Sequence, residues 1–228
     1  MNVHSQYELQ RASGARGEYL NSSQSARKPR PPKDLRDQQR RDQIVEAARD
    51  CVVRHGFHAA SMGEIAAAAN MSVGQIYRYF PSKEAIVHAI VERIVEQREQ
   101  FMVERAGRTH VAQEMAEHLV AGGLEEFRQD DLLMLEISAE ATRNPAVREI
   151  VERADQRLCE QAVANFRREH PQLDPSEASA RVELLVVLFE GTLLRRLTGR
   201  GMKHPNLRDL YRAVIEKLQS HPLDFHRS

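Results

Sequence analysis

Apolar residues recur at intervals of three and four from about Leu35 onward, the spacing of one helical face. Ile44, Ala47, Ala48, Cys51 and Val52 form a single stripe that ends at His55 and Gly56, where glycine serves as a helix stop. Two much shorter helices follow, and their starts are explicit. Ser61-Met-Gly-Glu64 and Ser72-Val-Gly-Gln75 are both capping-box sequences. In each, the serine hydroxyl accepts from a free backbone N–H one turn on, and the Glu or Gln reaches back to the serine N–H. The spacing predicts helices of about two turns each, Met62 to Ala69 and Val73 to Tyr79. Asn70-Met71 is the turn between them, since asparagine tolerates the left-handed conformation a tight turn needs. Pro81 stops the second helix, and Ser82 caps a longer one that begins at Lys83.

Longer helices are predicted beyond it, over about 83–105, 111–128 and 131–143. Asn144-Pro145 breaks the pattern and opens a helix to about Glu169. Pro171 and Pro175 form the next break. A helix from Ser176 to about Leu197 carries the most apolar run of the chain, Leu184 to Phe189, and Gly199 and Gly201 end it. The last helix runs from about Asn206 to Gln219. No stretch alternates with period two, and no internal repeat is present, so the fold class expected is all-α.

Residues 1–34 stand apart from this pattern. They are poor in apolar residues, and prolines at 29, 31 and 32 exclude helix there, so the segment is expected to be a disordered basic arm. Its composition suits an arm lying on DNA phosphates or in a minor groove, and equally a solvated tail. The expected organisation is therefore an arm over 1–34, a small helical unit over 35–90 and a larger helical domain over 91–228.

Charge adds a direction to this layout. The 33 Lys and Arg residues balance the 33 Asp and Glu residues, but unevenly along the chain. Residues 1–90 hold 13 basic against 9 acidic residues, and the remainder holds 20 against 24. A basic first part suits one polyanion-binding end, although chance asymmetry gives the same numbers. Cys51 and Cys159 are far apart on helical patterns and form no ligand spacing, as expected of a reduced chain without structural zinc. No run approaches a membrane span and no apolar leader core opens the sequence, so a soluble, cytoplasmic protein without a membrane partner is expected.

An enzyme finds no support. His55, His58, His88, His110 and His118 lack metal spacing, and there is no phosphate-cradling glycine loop or nucleophile elbow. No catalytic residue, metal or cofactor is expected.

The second short helix carries the candidate chemistry. At about 100° per residue, Val73, Ile76 and Phe80 share one face, directed at a core. The opposite face presents Gly74, Gln75 and Arg78, flanked by Tyr77 and Tyr79. An exposed glycine lets the backbone approach a surface, glutamine can bond adenine's edge, and arginine guanine's. Tyrosine hydroxyls and the Lys83 ammonium suit phosphates. Two short helices, a tight turn and such a face describe a helix-turn-helix, with a plain helical hairpin bearing a solvated face as the alternative that spacing leaves open.

The stretch from Arg41 to Val87 resembles the DNA-binding domain of the TetR family of bacterial regulators. The resemblance rests on Ile44, Ala47-Ala48, Gly56, Phe57, Ala60-Ser61, Ile65-Ala66 and the run from Met71 through Ser72, Val73, Gly74, Gln75, Ile76, Tyr77, Arg78, Tyr79, Phe80, Pro81, Ser82 and Lys83 to Glu84. Asn70 stands where the family has a turn glycine, and Met71 where it has valine. The resemblance implies that Ser61 and Ser72 contact phosphate and that Val73, Gly74 and Gln75 face major-groove bases. It further implies that Tyr77 and Tyr79 touch phosphate or a thymine methyl, that Arg78 contacts backbone or base, and that Lys83 pairs with phosphate.

The same resemblance implies a homodimer through the last two long helices, whose Leu207, Tyr211, Val214 and Leu218 form one stripe, although intramolecular core explains that stripe too. It implies a small-molecule inducer, apolar or amphipathic, that releases a repressor from a palindromic operator controlling an efflux or transport gene. An activator, or a regulator answering a partner protein, shares the same DNA head. Candidate pocket residues are Phe101, Met102, Phe127, Met134, Ile137, Phe166, Leu185, Phe189 and Glu190, each of which fits a packed core as well. Glu190 interrupts an apolar stretch, where a buried carboxylate suits a cationic ligand or a nearby arginine.

Overall fold

The long first helix, α1 (Lys33–Ala59), buries the predicted stripe of Ile44, Ala47, Ala48, Cys51 and Val52, and Val45 with it. The computed structural model describes residues 32–105, 116, 117, 119, 128–197 and 204–220. Helical geometry in α1 is interrupted where the stripe ends, at Gly56, whose φ of 81° and ψ of 163° suit glycine. The chain then forms α2 (Met62–Ala68) and α3 (Val73–Tyr79), followed by α4 (Lys83–Arg105). Beyond these lie α5 (Arg128–Ala141), α6 (Pro145–Glu169), α7 (Pro175–Leu197) and α8 (Leu207–Gln219). No strand occurs among the described residues.

Most helix ends fall where the sequence places them, because their caps are local. Asn144 accepts from the backbone of Ala146 at 3.1 Å and Val147 at 3.3 Å to start α6, with Pro145 in the first turn. Ala85 N–H donates to the Ser82 hydroxyl at the start of α4. Some boundaries differ: α1 begins at Lys33, within the segment expected to be the arm, and continues past Gly56 to Ala59, and the helix expected to end at 143 ends at Ala141. The helix expected from 131 begins at Arg128, which puts Asp130 and Asp131 in its first turn, where the helix dipole favours acids. Of the helix expected over 111–128, residues 116, 117 and 119 are helical and Arg128 belongs to α5, while the others lie outside the described residues, as do the expected basic arm up to residue 31 and Phe127.

One core joins the small unit to the larger. Ile44, Phe57, Ile65, Ile76 and Phe80 from α1–α3 belong to the same buried cluster as Ile86, Ile90 and Ile94 of α4, Leu133 and Ile137 of α5, and Val147 and Ile150 of α6. The helix α4 passes through it, and Arg157 on α6 binds both Glu92 and Glu99 of α4. Two smaller clusters lie further on. Leu185 packs with Leu119, Ile215 and Leu218, and Phe166 packs with Leu173, Ala178 and Val182. No helix among the described residues is long and apolar enough to cross a membrane.

Candidate nucleic-acid interface

Both capping boxes form. Ser61 accepts from Glu64 N–H at 3.2 Å, while Glu64 accepts from Ser61 N–H at 3.0 Å. Ser72 accepts from Gln75 N–H at 3.2 Å, while Gln75 Oε1 accepts from Ser72 N–H at 2.9 Å. Between the boxes, Asn70 adopts a left-handed φ of 52°. Met71 N–H returns to the Ala66 carbonyl and Asn70 N–H to the Ala67 carbonyl, the pair of bonds that closes a helix on a left-handed residue. The turn is therefore as tight as the sequence implies, with asparagine in the place glycine usually takes.

The carbonyl ends of the short helices are held from a distance. Gln43 on α1 donates to the Ala69 carbonyl at 2.7 Å, 26 residues away. Arg41 donates to the Tyr79 carbonyl at 2.7 Å across 38 residues, and its guanidinium lies 4.3 Å from the centroid of the Phe80 ring. These positioning residues carry no local signature, since periodicity reports a face and not the partner it meets. Each end of α3 is thus tied down, by its own capping box at the start and by Arg41 at the finish.

The face that results is open. Ile76 and Phe80 are buried, while Ser61, Ser72, Gly74, Gln75 and Arg78 are exposed and Tyr77 is 52% exposed. A Cβ added at Gly74 would meet nothing within 4 Å, so its lack of side chain answers no need of the fold. Val73 departs from the core-facing stripe predicted for it and is 41% exposed. It opens a helix of seven residues, whose first turn runs beyond the buried stripe.

Two residues turn inward. Tyr79 is half-buried and its hydroxyl donates to Asp37 on α1 at 3.3 Å. Lys83 donates to the Phe57 carbonyl and lies 3.9 Å from the centre of the Phe57 ring. Burial lowers its pKa, against the pull of Glu140, Glu84 and Glu64. A phosphate contact by Lys83 would have to share the ammonium with Phe57. Among the described residues, no group of three His, Cys, Asp or Glu side chains is placed to hold a metal.

Residues 44–90 match the family of bacterial regulatory proteins of the tetR type, and residues 106–220 match the tetracyclin repressor-like C-terminal domain. The chain belongs to the TetR family. It is a transcriptional regulator with a DNA-binding helix-turn-helix, and its family is one of regulators and not of enzymes. The TetR-type chain is similar to the HTH-type transcriptional regulator UidR of Escherichia coli K12, 37% identical over 107 residues that cover 47% of this chain and 54% of that one. It thus spans about half the length of that relative. The E. coli regulator BetI is 28% identical over 182 residues, covering 77% of this chain and 92% of its own. In structure the chain is similar to Salmonella enterica GusR, with a TM-score of 0.69 and 27% identity over 79% of this chain and 95% of that one.

The pocket candidates of this TetR regulator are spread over three buried clusters and the surface. Met134 and Ile137 belong to the main core, Leu185 and Phe189 to the second cluster, and Phe166 to the third. Phe101 and Met102 are half-buried on α4. Glu190, expected to be buried, is exposed on α7. Partial desolvation, with Asp155 and Glu183 nearby, raises its pKa against the opposing pull of Arg98.

Proposed function

We propose that the chain acts as a ligand-responsive repressor that docks as a homodimer on a palindromic operator, placing α3 of each protomer in the major groove. The observation that carries this reading is the open face of α3. Val73, Gly74, Gln75, Tyr77 and Arg78 face solvent on a helix fixed at both ends, with Ile76 and Phe80 anchoring its back. Such rigidity gives base-reading side chains defined positions. Ser61 keeps a hydroxyl group at the surface for a phosphate, the Ser72 hydroxyl reaches one by giving up its bond to Gln75 Oε1, and Tyr77 offers a further contact.

The dimer reading is supported by an apolar stripe on the outside of the last two helices. Leu184, Val187 and Leu194 of α7 are exposed, with Gly191 completing the spacing, as are Leu210 and Val214 of α8. Solvent-facing apolar residues in such a row mark a surface that another chain covers. For release, the reading places an apolar or amphipathic inducer beside Phe101 and Met102, and its signal passes along α4 to α1. Two contacts support that route. Glu136 of α5 accepts from Phe57 N–H at 3.1 Å, and Lys83 of α4 donates to the Phe57 carbonyl. An inducer acts through its different affinity for the two spacings of the recognition helices.

Mobility shift on the DNA upstream of its own gene, with excess competitor, tests the DNA reading. Selective binding is expected, and Tyr77→Ala is expected to weaken it on the order of tenfold without unfolding. A folded protein that enriches no site from a random pool at low salt would overturn it.

A further inference from the structure

Gln75 serves the fold with one end of its amide and leaves the other for DNA. Its Oε1 accepts from Ser72 N–H at 2.9 Å and from the Ser72 hydroxyl at 3.3 Å. A carbonyl oxygen has two lone pairs, and both are engaged. Only the oxygen can accept the Ser72 N–H, so the amide nitrogen is the end left over, on an exposed residue of the open face. Adenine is read by glutamine with both ends at once, the oxygen accepting from N6 and the nitrogen donating to N7. The capping box withholds the first of these.

We infer that Gln75 reads its base as a hydrogen-bond donor alone, so that the operator presents an acceptor edge, guanine in preference to adenine, at the base pair Gln75 faces. The inference rests on α3 being the recognition helix. The two hydrogens of the Gln75 amide match the two acceptors of guanine, N7 and O6, and one of them matches thymine O4. Cytosine presents a donor there and is refused. Reading adenine with both ends would displace one of the two Ser72 donors, the N–H or the hydroxyl, from Oε1 at the first turn of α3. The neighbouring box makes the division visible. Position 64 of α2 closes its box with a glutamate, which satisfies the cap and has no hydrogen left to donate. At position 75 the amide closes an equivalent box and retains a donor.

Selection of binding sites from a random duplex pool by the full-length protein, with the Gln75→Ala and Gln75→Glu variants in parallel, tests this. The Gln75→Glu variant keeps the geometry of the box, so it preserves α3 while turning the outer atom into an acceptor. Expected is one base pair per half-site at which the wild type selects a G·C pair, Gln75→Ala relaxes the choice on the order of tenfold, and Gln75→Glu reverses the pair so that cytosine takes the place of guanine. An A·T pair in either orientation at the position that depends on Gln75 overturns the inference while leaving the recognition helix in place. Identical sites for all three proteins overturn it as well, since Gln75 then reads nothing. A wild type that enriches no site fails earlier, at the DNA-binding reading itself.

Discussion

Arg41 sits on α1 but completes α3. Its bond to the Tyr79 carbonyl satisfies an end group that the helix cannot satisfy for itself, and its stacking on Phe80 covers the residue that closes the recognition helix. The planar guanidinium does both at once, as the Lys83 ammonium does at Phe57. Arg41→Ala is therefore expected to cost about 1 kcal/mol, since the site is exposed and the bond competes with water. Urea denaturation measures this, and an unchanged midpoint would remove Arg41 from the account of how α3 is held. Lys83 plays a comparable part for α1, closing its last turn through Phe57. The sequence marks both cations, yet it assigns Lys83 to phosphate and leaves Arg41 without a task. Their partners lie 26 and 38 residues away, so no local spacing discloses them.

The last turn of α1 shows how elements are joined. Gly56 turns the chain at φ 81°, Phe57 N–H meets Glu136 of α5, and a Cβ on Gly56 would stand 3.0 Å from Glu136 Oε1. Gly56→Ala would force both an unfavourable backbone and a displaced carboxylate, with an expected loss of about 1–3 kcal/mol. Placing the same change in a Glu136→Ala background separates the two. The steric part disappears and the backbone part remains, and thermal unfolding of the four proteins reads both. A neutral Gly56→Ala would mean that the turn relaxes freely. The sequence locates this glycine as a stop but gives no hint of Glu136. That contrast holds for the whole site. Caps, the Asn70 turn and the buried back of α3 are legible because their partners lie within a few residues. The division of the buried residues into three clusters is not, because helical periodicity cannot say which helix a face will meet. For that reason Phe166, Leu185 and Ile137, read together as one pocket, fall into different cores.

At the scale of the whole molecule, α8 has two apolar faces with different work to do. Ile215 and Leu218 are buried against Leu185 within the chain. On another side, Leu210 is 58% exposed and Val214 is exposed beside it, so the single stripe inferred from spacing is two stripes. Their exposure makes sense if a second copy covers them together with Leu184, Val187 and Leu194 of α7. A dimer also explains how a short recognition helix achieves useful affinity, since two linked half-site contacts gain far more than either alone. Leu210→Glu tests the arrangement without touching the intrachain core, because the replaced side chain packs mainly toward solvent. Sedimentation equilibrium is expected to show a dimer for the wild type and a monomer for Leu210→Glu, with helical content unchanged by circular dichroism. Affinity for a two-half-site operator should fall on the order of a hundredfold, while binding to an isolated half-site stays as it was. A Leu210→Glu protein that remains dimeric and binds the full operator as before would move the interface off α7 and α8, and the exposed stripe would need another partner.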